Sequence, residues 1–538
     1  MKKSGGDLGL STFNVAWLPF ALSHGLNIFY SNYEYALHGI NLMGTPAYFL
    51  QSFVLMPITI EFGPTVSINV GIILGPAITA FSAMVVYFKI TQLRIESFLA
   101  GLILGYSALV LNDSTFGHLH MTWLFGPPII FYIYYKILKQ SDVSILKTGL
   151  ILGLVFTLQF YASVEILTDT LFFGFILGLI FLLLNRSFIR QKIVPLVLVT
   201  AIGGFTSLLF CGYAIYYFFY GKDHVFYNNG LNANPVFKLS LADVLLPIGK
   251  HDLSVNLFSN KFAVIVIPAV VIILVILKLP TLLKNHQARI SLLFSLIIYF
   301  CMIGPYLRII SRQDLVPNPV YDLLSKLPII SATLFARFSY YFLFVFNFAF
   351  IIAFASVKSS FIEKRHLLKV LSSFKTWIVV LLVLNMLWID SNVFNNQKNL
   401  TGDKVLSTQN YIPHNAVVWI YPRISIYNGL PLIYLAQSNF GYKVTSGYGF
   451  VSVNNTPTFY LETSPIDSYI FLETFNKQLV KPSTKTVNMI KQYVIESKIS
   501  CLVVYDVISY QKVVAALSYI FNKPHLVENN ALWCHIDR

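Results

Sequence analysis

Residues 167–192 read LTDTLFFGFILGLIFLLLNRSFIRQK, an apolar run with one carboxylate that ends in a short loop with three basic side chains. A membrane-spanning helix needs about 20 mostly apolar residues. Loops on the cytoplasmic side of a membrane collect Lys and Arg. This stretch therefore predicts a transmembrane helix that is followed by a cytoplasmic loop.

The same alternation of apolar run and connection repeats along much of the chain. Ten candidate spans are predicted in all, at residues 66–88, 97–111, 121–135, 148–163, 167–185, 194–220, 262–277, 290–306, 336–356 and 376–389. The fold class that follows is a mostly α-helical polytopic membrane protein with about ten transmembrane helices. Only 11% of the 538 residues are charged, against about 25% in ordinary soluble proteins.

The net charge of +15 is concentrated in every second connection between the spans. These connections hold 16 basic and three acidic residues and are residues 89–96, 136–147, 186–192, 278–289 and 358–375. They are predicted to be cytoplasmic, so that both chain ends lie outside. Since the rest of the chain is nearly neutral, the charge orients the protein in its membrane and gives no support to nucleic-acid binding.

Three domains follow from this topology. Residues 1–65 are predicted to form an outer-face loop segment with short helices, residues 66–389 the transmembrane helical domain, and residues 390–538 an extracytoplasmic α/β domain. In the last of these, 416–421, 499–505 and 531–536 resemble buried strands, and 484–498 and 508–521 resemble helices. The predicted localisation is the plasma (cytoplasmic) membrane, with the C-terminal domain outside.

The four cysteines fall into two pairs of different character. Cys211 and Cys301 lie in apolar spans and are predicted to be inert core thiols. Cys501 and Cys534 lie on two predicted strands of the outer domain, where a disulfide can form if the strands are neighbours. No CxxC motif or Cys/His set indicates zinc.

Ionisable residues close to the hydrocarbon are expensive and are functional candidates by default. Here they gather at the predicted outer ends of the spans, and the set comprises Asp113, His118, His120, Glu165, Asp169, Arg308, Arg312 and Arg337, with Asp7 and Glu34 in the N-terminal segment. Several have a plainer explanation: a helix cap for Asp113, solvent contact for the histidines and an interfacial anchor for Arg308 and Arg312. Together, however, they suit a reaction at the level of the lipid headgroups, because carboxylates serve as bases and Arg binds phosphate oxygens.

The N-terminal segment has a recognisable order of residues. An acid, Asp7, is followed by Trp17, Pro19 and Ala21-Leu22, then by Gly25-Leu26-Asn27-Ile28-Phe29 and by Gly39-Ile40-Asn41-Leu42. Further matches are Gly117-His118-Leu119, Gln159 with Glu165, the run from Leu327-Pro328 to Arg337-Phe338, and Ile412-Pro413 before Val417-Val418. This pattern resembles the GT-C superfamily of polytopic membrane glycosyltransferases and spans most of the chain.

The resemblance implies an enzyme that moves a hexosyl or pentosyl group from a polyprenyl-phosphate donor to an envelope or glycan acceptor. Asp7 matches the carboxylate of the first outer loop, which would be the catalytic base or support a metal. Arg308 or Arg337 would bind the donor phosphate, and Glu34, Asp113, His118, His120 and Glu165 would line the cavity. A divalent cation, Mg or Mn, is a possible cofactor, although no second acid stands beside Asp7. The membrane helix that usually precedes the first outer loop is expected to be missing.

Two other functions stay open at this point. The first is a non-catalytic protein of the same fold that binds a polyprenyl-phosphate lipid or an envelope polymer. The second is a transporter, which is less favoured because the two halves of the sequence differ and the polar groups do not lie at mid-membrane. The expected partners are thus the lipid-linked donor, the acceptor polymer and membrane lipid.

Overall fold

The fold is known from a computed structural model, which describes residues 5–140, 142–184, 186–225, 269–307, 316–327, 330, 333–357, 376–384, 406–425, 428–453, 456–458, 464–475, 481–505 and 510–536. The described chain is mostly helical, and its sheet structure is concentrated toward the C-terminus.

The N-terminal half consists mainly of helices. They are α1 (Gly6–Ser23), α2 (Phe49–Phe62), α3 (Pro64–Thr91), α4 (Arg94–Gly105), α5 (Ala108–Phe116), α6 (Gly126–Lys139), α7 (Ile145–Ala162), α8 (Val164–Leu184) and α9 (Arg186–Tyr220). A two-stranded antiparallel ribbon, β1 (Tyr30–Ser31) with β2 (Ile40–Asn41), follows α1.

The middle of the chain continues in the same style. Its helices are α10 (Ala269–Leu277), α11 (Leu279–Lys284), α12 (His286–Met302), α13 (Pro319–Leu324), α14 (Ser339–Ala355) and α15 (residues 376–384). Two short strands, β3 (Tyr306–Leu307) and β4 (Val316–Pro317), pair between α12 and α13.

The C-terminal part alternates strands and helices. The strands are β5 (Val417–Tyr421), β6 (Lys443–Val444), β7 (Val451–Val453), β8 (Thr456–Thr458), β9 (Ile499–Val504), β10 (His525–Val527) and β11 (Asn530–Cys534). The helices are α16 (Leu406–Gln409), α17 (Leu430–Gln437), α18 (Pro465–Phe475), α19 (Thr484–Glu496) and α20 (Tyr510–Phe521).

Two compact units contain these elements. The helical unit comprises residues Ile72–Cys211 and Tyr227–Gln397, and the second, here called the terminal unit, comprises Met1–Gly71, Gly212–Phe226 and Lys398–Arg538. The predicted division into 1–65, 66–389 and 390–538 stays a prediction, but the N-terminal segment and the C-terminal tail belong to the same compact unit.

Six helical segments among the described residues are long and apolar enough to cross a membrane. They are Pro64–Thr91, Arg94–Phe116, Ile145–Ala162, Val164–Leu183, Gln191–Tyr220 and Phe335–Ala355. These spans support a multi-pass membrane protein. The count of ten spans and the orientation remain predictions, although each of the ten predicted runs overlaps a described helix in part.

Small residues allow the helices of the helical unit to approach closely. Gly101 and Gly105 lie one turn apart on α4, and a Cβ atom on Gly105 would come within 2.5 Å of Ala80 and of the Pro76 carbonyl of α3. Such small-xxx-small spacing is a common device of membrane helices. Buried polar groups add specific bonds, since Tyr87 donates to the Phe344 carbonyl at 2.8 Å and Asn347 to that of Ala100 at 3.1 Å.

A five-stranded sheet in the order β10-β11-β9-β5-β6 forms the centre of the C-terminal tail. β5 lies parallel to β6 and β9, whereas β11 is antiparallel to β9 and β10. Its apolar side packs against α18, α19 and α20 around Trp419, Ile470, Ile490 and Leu517. The α/β prediction for the tail is supported, and each predicted strand and helix is present.

Candidate functional site

Asp7 lies in the first turn of α1 and is half-buried. The positive end of the helix dipole favours a charged carboxylate at this position. Its Oδ1 accepts a hydrogen bond from the hydroxyl of Tyr448 at 3.0 Å. The acid that the resemblance marks as catalytic is therefore held by a side chain of the C-terminal tail, while part of its surface stays accessible.

Glycines bring Tyr448 to Asp7. A Cβ atom on Gly6 would lie 2.4 Å from the Tyr448 ring, so this helix start accepts the ring only because residue 6 has no side chain. Gly447 is constrained in the same way, because its Cβ would come within 2.5 Å of the Tyr35 ring and 2.8 Å of Glu34 Oε2. Position 448 is thus fixed by close backbone approach on both sides.

Glu34 is fully buried, and its side chain binds the backbone of Tyr448. Its Oε2 accepts from the Tyr448 N–H at 3.0 Å. Burial raises the pKa of Glu34 to about 8, and the Tyr448 N–H acts in the opposite direction. At neutral pH the group is therefore largely an uncharged acid. Asp7, Glu34 and Tyr448 are called the Asp7 cluster below.

Backbone pairing between two distant segments positions this cluster. The Val444 N–H donates to the Tyr33 carbonyl at 2.8 Å, and the Ala36 N–H donates to the Val444 carbonyl at 2.9 Å. The Tyr35 hydroxyl donates to the Gly449 carbonyl at 3.1 Å. Residues 33–36 and 444–449 therefore form one structure, which carries Glu34 on one side and Tyr448 on the other.

A second polar cluster lies in the helical unit and is called the Arg337 cluster. Nη1 of Arg337 donates to both carboxylate oxygens of Glu165, at 2.8 and 2.6 Å. The two side chains are 18% and 23% exposed. This pair joins the start of α8 to the turn of 3₁₀ helix before α14. Glu165 and Arg337, two predicted site residues, are thus brought together.

The histidines of the predicted site lie in the helical unit, and His120 is close enough to Arg337 to be affected by its charge. Nδ1 of His118 lies 2.9 Å from Oδ1 of Asp113, and both groups are buried. The pKa of His120 is lowered by its burial and then by the charges of Arg337 and His118, so that its imidazole is neutral at pH 7. Asp113, His118 and His120 are therefore inside the protein, and the solvent-contact explanation does not hold for the two histidines.

Asp169 completes the Arg337 cluster one turn after Glu165. Its Oδ1 accepts from the Thr333 hydroxyl at 3.3 Å, and the side chain is fully buried. Asp113 and Asp169 both lie within electrostatic reach of Arg337. The cluster therefore combines one guanidinium, three carboxyl groups and two imidazoles.

The predicted site residues divide between the two units. Asp7 and Glu34 are in the terminal unit, and Asp113, His118, His120, Glu165 and Arg337 are in the helical unit. Arg308 and Arg312 lie outside the described residues. Tyr448 was not predicted from the sequence. The available signal is the run Ser446-Gly447-Tyr448-Gly449. An aromatic residue between two glycines is typical of a tight backbone approach.

The divalent cation remains a prediction. In the parts of the chain that the structure describes, no three His, Cys, Asp or Glu side chains come together as a metal-binding group. Asp7 accepts a hydrogen bond from the phenol of Tyr448, and Glu34 accepts one from a backbone N–H. These residues do not form a ready ligand set for a divalent cation.

Comparisons with known proteins give matches by structure only. No family model and no curated protein matches the chain. An oligosaccharyltransferase of Archaeoglobus fulgidus tethered to an acceptor peptide matches at 10% identity and a TM-score of 0.48, over 97% of this chain and 68% of that one. AglB of the same organism with an inhibitory peptide and a dolichol-phosphate matches at 9% and 0.48, over 95% and 67%.

A third structure, the A. fulgidus oligosaccharyltransferase in complex with Zn and sulfate, matches at 11% identity and a TM-score of 0.49, over 97% of this chain and 66% of that one. The three structural neighbours are archaeal oligosaccharyltransferases.

Proposed function

We propose that the protein is a membrane glycosyltransferase that moves a sugar from a polyprenyl-phosphate-linked donor, of the dolichol-phosphate type, to a glycan or envelope acceptor. The observation that carries the proposal is the environment of Asp7. A half-buried carboxylate at the start of a helix, held by a tyrosine hydroxyl, is oriented for proton transfer and still reachable by a substrate.

Asp7 is the base in this proposal. An acceptor hydroxyl attacks the anomeric carbon of the donor sugar, and its proton passes to the Asp7 carboxylate. The new bond joins the acceptor oxygen to the anomeric carbon. The bond from that carbon to the phosphate oxygen breaks, and the polyprenyl phosphate leaves with the electron pair.

Arg337 is the candidate for stabilising the departing phosphate. Guanidinium groups bind phosphate oxygens through several parallel N–H bonds. Within the described contacts Glu165 uses Nη1, so a phosphate would be met by the remaining N–H groups of the same guanidinium. Asp113, His118, His120 and Glu165 are assigned to the lining of that site, and Arg308 is the second candidate for the phosphate.

The proposed orientation places the terminal unit outside the plasma membrane. The disulfide between Cys501 and Cys534 supports this assignment, because structural disulfides persist in oxidising compartments. The basic loops predicted to be cytoplasmic support the same orientation.

The test uses the full-length protein in detergent with radiolabelled polyprenyl-phosphate hexose or pentose and an envelope glycan extract as acceptor. We expect label to move from the lipid to the glycan fraction with wild-type protein and not with Asp7→Asn. Asp322→Asn is the matched control, because Asp322 is an exposed carboxylate with an exposed Lys326 partner. Bound donor without transfer would indicate the non-catalytic alternative. Donor movement across sealed liposomes without a covalent product would indicate a transporter.

A further inference from the structure

Tyr448 makes hydrogen bonds to both acids of the Asp7 cluster. Its hydroxyl bonds to Asp7 Oδ1 at 3.0 Å, and its backbone N–H bonds to Glu34 Oε2 at 3.0 Å. The two bonds connect a carboxylate on α1 to a buried acid 27 positions later through one residue of the tail. A phenylalanine at this position would fill the same space but could not make the bond to Asp7.

We propose that Tyr448 is a positioning residue that fixes the orientation of the Asp7 carboxylate, and that Glu34 in turn fixes Tyr448. This inference rests on the proposed function, because it assigns to Asp7 the role of base. A general base must lie within hydrogen-bond reach of the proton that it takes. A carboxylate that rotates freely is seldom in that position, so the rate of the transfer reaction falls.

The surroundings of Tyr448 leave it little freedom. Its ring lies so close to Gly6 that a Cβ there would clash with it, and a Cβ on the following Gly449, whose φ is +150°, would come within 3 Å of Thr45 and Ile40. The Tyr35 hydroxyl holds the Gly449 carbonyl at 3.1 Å. The phenol therefore has little freedom to move, and its hydroxyl donates a hydrogen bond to Asp7 Oδ1.

Glu34 is suited to hold the backbone of Tyr448 in place. It is completely buried, so water does not compete for the Tyr448 N–H. Its raised pKa keeps it largely uncharged at neutral pH, which makes a glutamine a close replacement in both shape and charge. A leucine at the same position fills the space without offering an acceptor.

The experiment measures transfer kinetics of the full-length protein with the polyprenyl-phosphate donor that supports activity. Tyr448→Phe keeps the ring and removes the bond to Asp7. We expect kcat to fall by about ten- to a hundredfold, as for the loss of a hydrogen bond to a charged group, while KM for the donor stays within about twofold. Tyr411→Phe, an exposed tyrosine of the same tail, is the matched control and is expected to leave both constants unchanged.

The Glu34 variants keep the test decisive if Tyr448→Phe folds poorly. We expect kcat to fall in Glu34→Leu and to be largely rescued in Glu34→Gln, which keeps the acceptor for the Tyr448 N–H. Wild-type kcat in Tyr448→Phe or in Glu34→Leu, with Asp7→Asn inactive, overturns the positioning role and leaves the proposed function intact. An active Asp7→Asn overturns both.

Discussion

Glu34 makes the free energy of unfolding of the terminal unit depend on pH. Burial raises its pKa from 4.5 to about 8. Below pH 4.5 the carboxyl group is protonated in the folded and in the unfolded chain, so it has no effect on stability there. Between pH 4.5 and about 8 the carboxyl group is protonated in the folded chain but ionised in the unfolded chain. The unfolded chain therefore binds fewer protons than the folded chain, and the free energy of unfolding falls as the pH rises. Above about pH 8 the loss is complete.

Glu34→Gln removes this dependence, because an amide does not titrate. Wild-type protein is expected to lose on the order of 3–5 kcal/mol more stability than the variant between about pH 4.5 and pH 8, from the size of the pKa difference. Thermal unfolding in detergent at a series of pH values measures this. The two Tm curves should diverge toward high pH, and parallel curves would show that Glu34 titrates normally in the folded protein.

The pair of Arg337 and Glu165 joins two helices within apolar surroundings. Removing one partner of such a pair leaves a charge with poor solvation, which costs more than removing both. Glu165→Met and Arg337→Met are each expected to lower stability by about 2–4 kcal/mol, and the double variant is expected to lose less than their sum. A double-mutant cycle on Tm or on denaturant midpoints gives the coupling, and additive losses would contradict a direct interaction.

At the scale of elements, the motif that carries the sequence resemblance consists largely of structural residues. Trp17 donates to the Ile28 carbonyl at 3.1 Å, which returns the chain after α1. Asn41 donates to the carbonyls of Tyr217 and Lys222 at 3.2 and 3.0 Å and accepts from the Met43 N–H. Gly39 adopts a φ of +79° against the Tyr30 ring. The motif therefore shapes the segment that presents Glu34.

The disulfide joins two neighbouring strands of the tail. Cys501 and Cys534 face each other on β9 and β11, as the sequence predicted for adjacent strands. Replacing both by alanine frees a loop of 33 positions, and the expected loss is about 3 kcal/mol. The Tm of wild-type protein should fall with reductant to that of the double variant, whose own Tm should not respond. Equal Tm values without reductant would show that the thiols are not joined.

Local patterns were enough to predict most elements. The long apolar runs, the short apolar run in 416–421 and the helical spacing in 484–498 all act over a few neighbouring residues, and the structure has a strand at Val417–Tyr421 and a helix at Thr484–Glu496. The predicted end of the second span at residue 111 was too early. Ser107 accepts the Val110 N–H and starts a new helix, which continues to Phe116.

The site was harder to predict because its contacts are distant in sequence. Asp7 and Tyr448 are 441 positions apart, and Glu165 and Arg337 are 172 apart. Polar residues in an apolar chain identified Glu34, Glu165 and Arg337 as candidates, since burial of ionisable groups is costly. Nothing local in the sequence states which tyrosine of the tail meets Asp7, because that choice depends on how the strands of the tail and the N-terminal segment pair.

At the scale of the whole molecule, the first and last parts of the chain belong to one compact unit. The N-terminal segment supplies the acid, and the tail supplies the tyrosine that holds it. If Asp7 is the base, as proposed, the tail contributes a residue to the site of transfer.

The most direct test of the central claim is the rate at which purified full-length Asp7→Asn transfers radiolabelled sugar from a polyprenyl-phosphate donor, compared with wild type and Asp322→Asn. We expect a loss of at least about a hundredfold in Asp7→Asn, the usual size of a general-base contribution, with Tm preserved and full activity in Asp322→Asn. Transfer by Asp7→Asn at the wild-type rate would contradict the assignment of Asp7 as the base.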